Sequence, residues 1–153
     1  MVHKSHYPDV VIIDDSIIWS LVVDKCATIS VPGATFDLLR NVIITLAKLM
    51  ELGIIIHVGI NDLLARHLIM LANTIHQKTN IFVVVSSVLP RKGDSCAESK
   101  VLKFCHCLAV QKKRCDEKCS VVDLFHKFDD RSLFDSGRVH LSQGGSCKFG
   151  QLL

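Results

Sequence analysis

The chain has 153 residues, 49% of them hydrophobic, and a formal net charge of +3 from 18 Lys and Arg against 15 Asp and Glu. That length fits one domain, residues 1–153, with a sizeable core, and no apolar run reaches the ~18 to 20 residues that cross a bilayer. The N-terminus, MVHKSHYPDV, has no apolar core behind its basic residues, so no signal peptide is read and an intracellular, cytoplasmic location is expected.

Val10 to Ile13 are β-branched without a break and run into Asp14, Asp15 and Ser16. An apolar run this short suits a strand buried on both faces. Ser16 falls where that strand stops; Asp and Ser there also cap a following helix, and Ile17 to Val23 reads as a short one. Cys26 to Val31 predicts a second strand, closed by Pro32 and Gly33. Phe36, Leu39, Ile43, Leu46 and Met50 recur at three- and four-residue steps, a helix that Gly53 would end. Ile54 to Val58 is a third strand, broken at Gly59-Ile60-Asn61-Asp62, and Leu64, Leu68, Leu71 and Ile75 mark the next helix. Ile81 to Ser86 is a fourth strand, followed by a loop through Pro90, Gly93 and Asp94. Ala97, Val101, Phe104 and Leu108 mark another long helix, Ser120 to Leu124 a fifth strand, and Ser142 the cap of a final short helix. Apolar strands alternating with helices predict a five-stranded parallel sheet covered on both faces.

Seven cysteines, an odd number, argue against a secreted disulfide framework. Cys105 and Cys107 followed by Cys115 and Cys119 are zinc-ligand types. Their spacing matches no standard pattern, and two of them fall in the helix. They read as small, buried, reduced residues. Basic residues are scattered apart from Lys112, Lys113 and Arg114, which read as a solvated helix end rather than a nucleic-acid face.

Each strand ends in a polar residue or glycine, and in a parallel sheet those ends converge on one edge. The first four give Ser16, Gly33, Gly59 with Asn61, and Ser86 with Ser87; a late loop brings His140. These are the residue types of acyl transfer. Ser16 would attack, and His140 would take its proton and later return it to the leaving group. The N–H groups of Ser16 and Gly33 and the Asn61 amide would serve the oxyanion, with glycine letting backbone approach a ligand closely. Trp19 reads as packing or as the floor of a pocket. His57, inside an apolar strand, reads as a satisfied core histidine or one that supports the site from behind. His3, His6, His67, His76, His106 and His126 read as surface.

The blocks IIDDSII, VPGATFDLL, IIIHVGINDLL and FDSGRVHLS, in that order, resemble the SGNH (GDSL-like) hydrolase superfamily in its small flavodoxin-like form. They span residues 10 to about 145, nearly the whole chain. The third block is the most specific. The PGA, SSVLPR and VHLS-x-x-G contexts look most like the esterase domains of animal retrotransposon-type proteins. The resemblance implies a three-layer α/β/α fold, with Ser16 as nucleophile and His140 as base. It implies Ser16, Gly33 and Asn61 as the oxyanion hole, and a small ester as substrate, with no metal and no cofactor. Nucleic acid or lipid as a partner follows from the retrotransposon analogy alone.

Two positions depart from the family. Asp14 stands where glycine precedes the Asp-Ser pair, and a carboxylate near the nucleophile repels a developing oxyanion unless it points away. The Asp normally three residues before the histidine is Gly137; Asp135, five residues before His140, is the nearest substitute, if the loop bulges by two. The expected function is therefore a serine esterase, with a catalytically degenerate binding module as the alternative. A nucleotide- or flavin-binding domain lacks support, because no strand is followed by a phosphate-cradling glycine motif.

Overall fold

β1 (Val10–Asp14), β2 (Cys26–Ser30), β3 (Gly53–His57), β4 (Phe82–Ser86) and β5 (Cys119–Val122) pair in parallel, in the order β2-β1-β3-β4-β5. The structure, a computed structural model, describes residues 8–14, 23, 25–33, 36–49, 53–57, 65–137 and 140–153. Four helices are α1 (Phe36–Ala47), α2 (Ala65–Thr79), α3 (Ser95–Gln111) and α4 (Gln143–Leu152). The helix expected over Ile17 to Val23 lies outside the described residues except Val23, which is not helical.

The periodicities explain the layers. Along β1, Val11 and Ile13 face one way, joining Ile54, Ile56, Val83 and Val85 under α1, α2 and α3. Ile12 faces the other way with Ile55, against Phe128, Phe134 and Phe149. The sheet thus lies between a three-helix layer and a layer built from α4 and the chain around residues 124–134. Full burial of an Ile side chain such as Ile12 or Ile13 stabilises by about 1.5 to 3 kcal/mol. The outer strands are less apolar than expected. β2 reads CATIS, with Thr28 and Ser30 among its residues, because an edge strand is only half covered. Among the described residues, no helix is long and apolar enough to cross a membrane.

Two expectations need correction. α1 stops at Ala47, and Gly53 opens β3 instead of ending the helix. A Cβ at Gly53 would lie 3.0 Å from the Phe82 carbonyl oxygen, so the glycine serves strand approach rather than helix termination. The cysteines are not uniformly buried. Cys105 and Cys119 are, and burial pushes each thiol up to about 11; Cys107 is exposed, as are Cys96 and Cys147. All seven are free.

α4 begins as expected at Ser142, whose Oγ accepts from the Gly145 N–H at 3.1 Å. Gly145 is needed for a second reason, since a methyl group there would overlap the Leu133 carbonyl. At Gly144 a methyl group would meet only Ser142 Oγ, at 3.9 Å. Gly145→Ala should therefore lower stability by about 2 kcal/mol or more, while Gly144→Ala should raise it by roughly 0.5 kcal/mol through reduced chain entropy. Urea titration of both variants checks the opposite signs.

Candidate functional site

Because all five strands run the same way, their carboxyl ends lie along one edge, and the strand order reverses between β1 and β3. Open α/β sheets bind ligands outside that edge, at the reversal. Polar side chains occupy it here. Asp14 ends β1 opposite Ser30 of β2 on one side and His57 of β3 on the other. Ser86 ends β4 next to His57. Ser30 Oγ donates to Asp14 Oδ2 at 3.3 Å, and His57 Nδ1 shares a 2.6 Å hydrogen bond with Ser86 Oγ. Side chains alternate along a strand, so this row faces the α4 layer, as do Ile12 and Ile55 two residues earlier. The His57 ring meets Phe149 of α4 edge-on, with centroids 5.1 Å apart.

Asp14, His57 and Ser86 are all buried. Asp14 is thus turned into the protein, bonded to Ser30, where the resembling family has glycine. Burial pushes the His57 imidazole down to about 4, against the raising effect of the Asp14 carboxylate. Of the two expectations for His57, that of a satisfied core histidine holds.

The named candidates are distributed unevenly. Gly33 is exposed after Pro32 and has φ +66°, a left-handed conformation that favours glycine. A Cβ there would meet nothing within 4 Å, so conformation rather than crowding selects the residue. Ser16 and Asn61 lie outside the described residues, as do Trp19 and Gly59.

His140 closes a short antiparallel excursion. Phe134 and Leu141 form a bridge, the Asp135 N–H donates to the His140 carbonyl at 2.9 Å, and Ser142 N–H donates to Leu133 O at 2.9 Å. Asp135 is therefore brought beside His140 through the backbone. Its carboxylate does not complete the pairing: His140 Nδ1 is buried with no hydrogen-bond partner among the described residues. Instead Asp135 Oδ1 lies 3.4 Å from where a Gly137 side chain would begin.

A second polar group at the strand ends joins Ser87, a strand-end residue named from the sequence, to Asp123 and His126, whose place beside it was not legible. Ser87 Oγ accepts from Leu124 N–H at 2.7 Å and Phe125 N–H at 3.0 Å, and donates to Asp123 Oδ1 at 3.3 Å. Asp123 Oδ2 also pairs with His126 Nδ1 at 2.6 Å. Burial alone would raise the Asp123 carboxyl, but its bonds to His126 hold it below the usual carboxylate range. With its oxygen engaged by two backbone donors, Ser87 pins the turn after β5 and is a poor nucleophile. Separately, a groove of about 590 Å³ lined by Arg66, Met70, Gln111 and Arg114, among others, shares no residue with the strand-end row.

No protein-family model matches the sequence, and no curated protein is significantly similar to it. Solved structures share its fold. A GDSL-like lipase from Bacteroides thetaiotaomicron matches with a TM-score of 0.68 at 16% identity, over 95% of this chain and 85% of that one. An acylhydrolase candidate from Bacteroides fragilis matches with 0.65 at 16%, over 94% and 83%. The C-terminal catalytic domain of Streptococcus pneumoniae peptidoglycan O-acetyltransferase A, solved with a methylsulfonyl adduct, matches with 0.65 at 10%, over 94% and 88%. At these identities the likeness establishes the fold, a three-layer α/β/α arrangement around a five-stranded parallel sheet.

The buried histidine makes stability depend on pH. Folded His57 binds its proton only near pH 4, against 6.5 for an unperturbed histidine. Between those values the unfolded chain holds the extra proton. The contribution of the neutral, buried His57 is therefore complete above about pH 6.5 and falls as pH drops toward 4. Urea midpoints measured from about pH 7 to about pH 4 should decline in the wild type, and His57→Asn should flatten much of that slope.

Proposed function

We propose that the chain is a serine esterase of SGNH type, hydrolysing an ester of a small acyl group through an acyl-enzyme on Ser16. One observation carries the reading: four sequence blocks with the family's residues, in the family's order, occur on a fold that GDSL-like lipases share. The finer likeness to retrotransposon-type esterase domains rests on the sequence blocks alone.

In this reading Ser16 Oγ attacks the ester carbonyl carbon while His140 takes the hydroxyl proton. Since Nδ1 is buried, Nε2 is the nitrogen for that task. The N–H groups of Ser16 and Gly33 and the Asn61 amide stabilise the tetrahedral oxyanion. Collapse breaks the bond to the alcohol oxygen, which receives the proton from His140. Water, deprotonated by the same ring, then releases the acid and restores Ser16. No step calls for a metal or a cofactor.

A second reading has a specific observation behind it. With Gly137 in place of the family's acid and no partner on His140 Nδ1 among the described residues, the ring's tautomer and orientation are less firmly set. A triad without its acid loses up to about four orders of magnitude in rate. A module that keeps the fold for binding fits that deficit.

Hydrolysis of p-nitrophenyl acetate separates the two. For an esterase, Ser16→Ala and His140→Ala should each lower kcat by roughly a thousandfold or more, with circular dichroism unchanged. Wild-type turnover no greater than that of Ser16→Ala identifies the binding module. Asp135→Asn should change kcat by less than about threefold, since its carboxylate does not bond the ring. Gly137→Asp should raise kcat by roughly tenfold or more if the missing carboxylate limits the rate. Gly137 has ordinary van der Waals room for a side chain, its nearest neighbour being the flexible tip of Asp135 at 3.4 Å.

A further inference from the structure

His57 lies where three stretches of chain meet. Its own strand leads, four residues on, to Asn61; Asp14, in register beside it on β1, leads two residues on to Ser16. Its ring packs on Phe149, in the helix that begins just after His140. It is also bonded to Ser86, at the end of the next strand. Ile12 and Ile55, two residues earlier on the same strands, are also in register and pack in the Phe149 layer, but His57 is the polar member of that layer, with a hydrogen bond to a neighbouring strand.

We propose that His57 is a positioning residue, one that holds the ends of β1, β3 and α4 in register so that Ser16, Asn61 and His140 can share a site. What is positioned rests on the esterase reading; the contacts themselves do not.

The chemistry of imidazole suits this place. A neutral ring offers one N–H donor and one acceptor. Either tautomer can make the Nδ1 bond, because the Ser86 hydroxyl both donates and accepts. Ser86 Oγ also reaches the Ile56 carbonyl at 3.4 Å, which gives its proton a second acceptor. The ring is flat enough to stand edge-on to Phe149, with an interplanar angle of 83°. An aliphatic residue would fill the space but leave the buried Ser86 hydroxyl short of its strongest bond. A lysine would bring a buried charge. The consequence of loosening this node is geometric, since a displacement of about 1 Å at reacting groups can cost a hundredfold in rate.

The test uses the full chain and three variants. His57→Phe keeps a flat ring against Phe149 and removes the hydrogen bonding; Ser86→Ala removes only the partner of Nδ1; His57→Asn sets an amide near the Nδ1 position. Amide hydrogen exchange, read by mass spectrometry, compares peptides covering 15–22, 58–64 and 134–142 with peptides from α2 and α3. His57→Phe should speed exchange in all three segments by about tenfold, with α2 and α3 unchanged. It should also lower kcat on p-nitrophenyl acetate by roughly a hundredfold with KM within about twofold, and His57→Asn should recover part of that loss. Exchange that rises uniformly, or only in β3 and β4, overturns the proposal. So does an active His57→Phe enzyme with wild-type kcat. If His57→Phe does not fold, Ser86→Ala decides on the same peptides, with a smaller shift expected in the same three segments. Absence of Ser16-dependent turnover in the wild type defeats the esterase reading alone, and the exchange pattern still decides the role of His57.

Discussion

A parallel sheet covered on both faces has little room for polar side chains except where its strands end. That constraint shapes this molecule. The buried stretches of β1, β3 and β4 are almost wholly aliphatic, and the buried polar residues Asp14, His57, Ser86 and Ser87 all fall at or just past their carboxyl ends. An uncompensated polar group deeper in the sheet would cost several kcal/mol. At the ends, neighbouring strands answer one another in register: serine to aspartate, histidine to serine. The strands' shared direction puts those answers on one edge, and the strand order reverses between the strands that carry Asp14 and His57.

The same constraint tells how Asp14 is accommodated. A carboxylate at the position before an Asp-Ser pair is a hazard to an oxyanion when it faces the reacting centre. In register between Ser30 and His57, it is directed into the layer beneath α4 and takes a hydroxyl proton donor there. Asp14 and the histidine on the adjacent strand stand side by side in register. His140 has no such partner at Nδ1 among the described residues. Its loop is well tied by backbone bonds, yet the ring nitrogen that an acid would engage is left without one.

Much of the fold was legible because aliphatic runs and three-and-four spacing carry strong period information. All five strands and the four described helices fall where those patterns place them, within a few residues. Gly53 misleads because the same residue ends helices and allows close strand approach, and local sequence does not distinguish the two. Cys107 misleads because its neighbour Cys105 takes the core-facing position on α3, and residues so close on a helix face different ways. The site was legible as a list of strand-end residues, not as a geometry. His57 stands out by sitting polar in an apolar run. Its bond to Ser86, the burial of Asp14 and the Asp135–His140 backbone pairing all depend on register between distant segments, which no local pattern encodes. The Ser87, Asp123 and His126 cluster escapes for the same reason.

The cysteines carry a consequence of their own. Alkylating reagents attack thiolates, and at neutral pH Cys105 and Cys119, with thiols at about 11, present almost none. Cys96, Cys107 and Cys147 stand exposed on the surface. A reagent added to the native protein therefore meets three thiols at once, the half-buried Cys26 and Cys115 more slowly, and Cys105 and Cys119 only when the core opens. The slowest pair is a built-in clock for opening of the core, read without any introduced label.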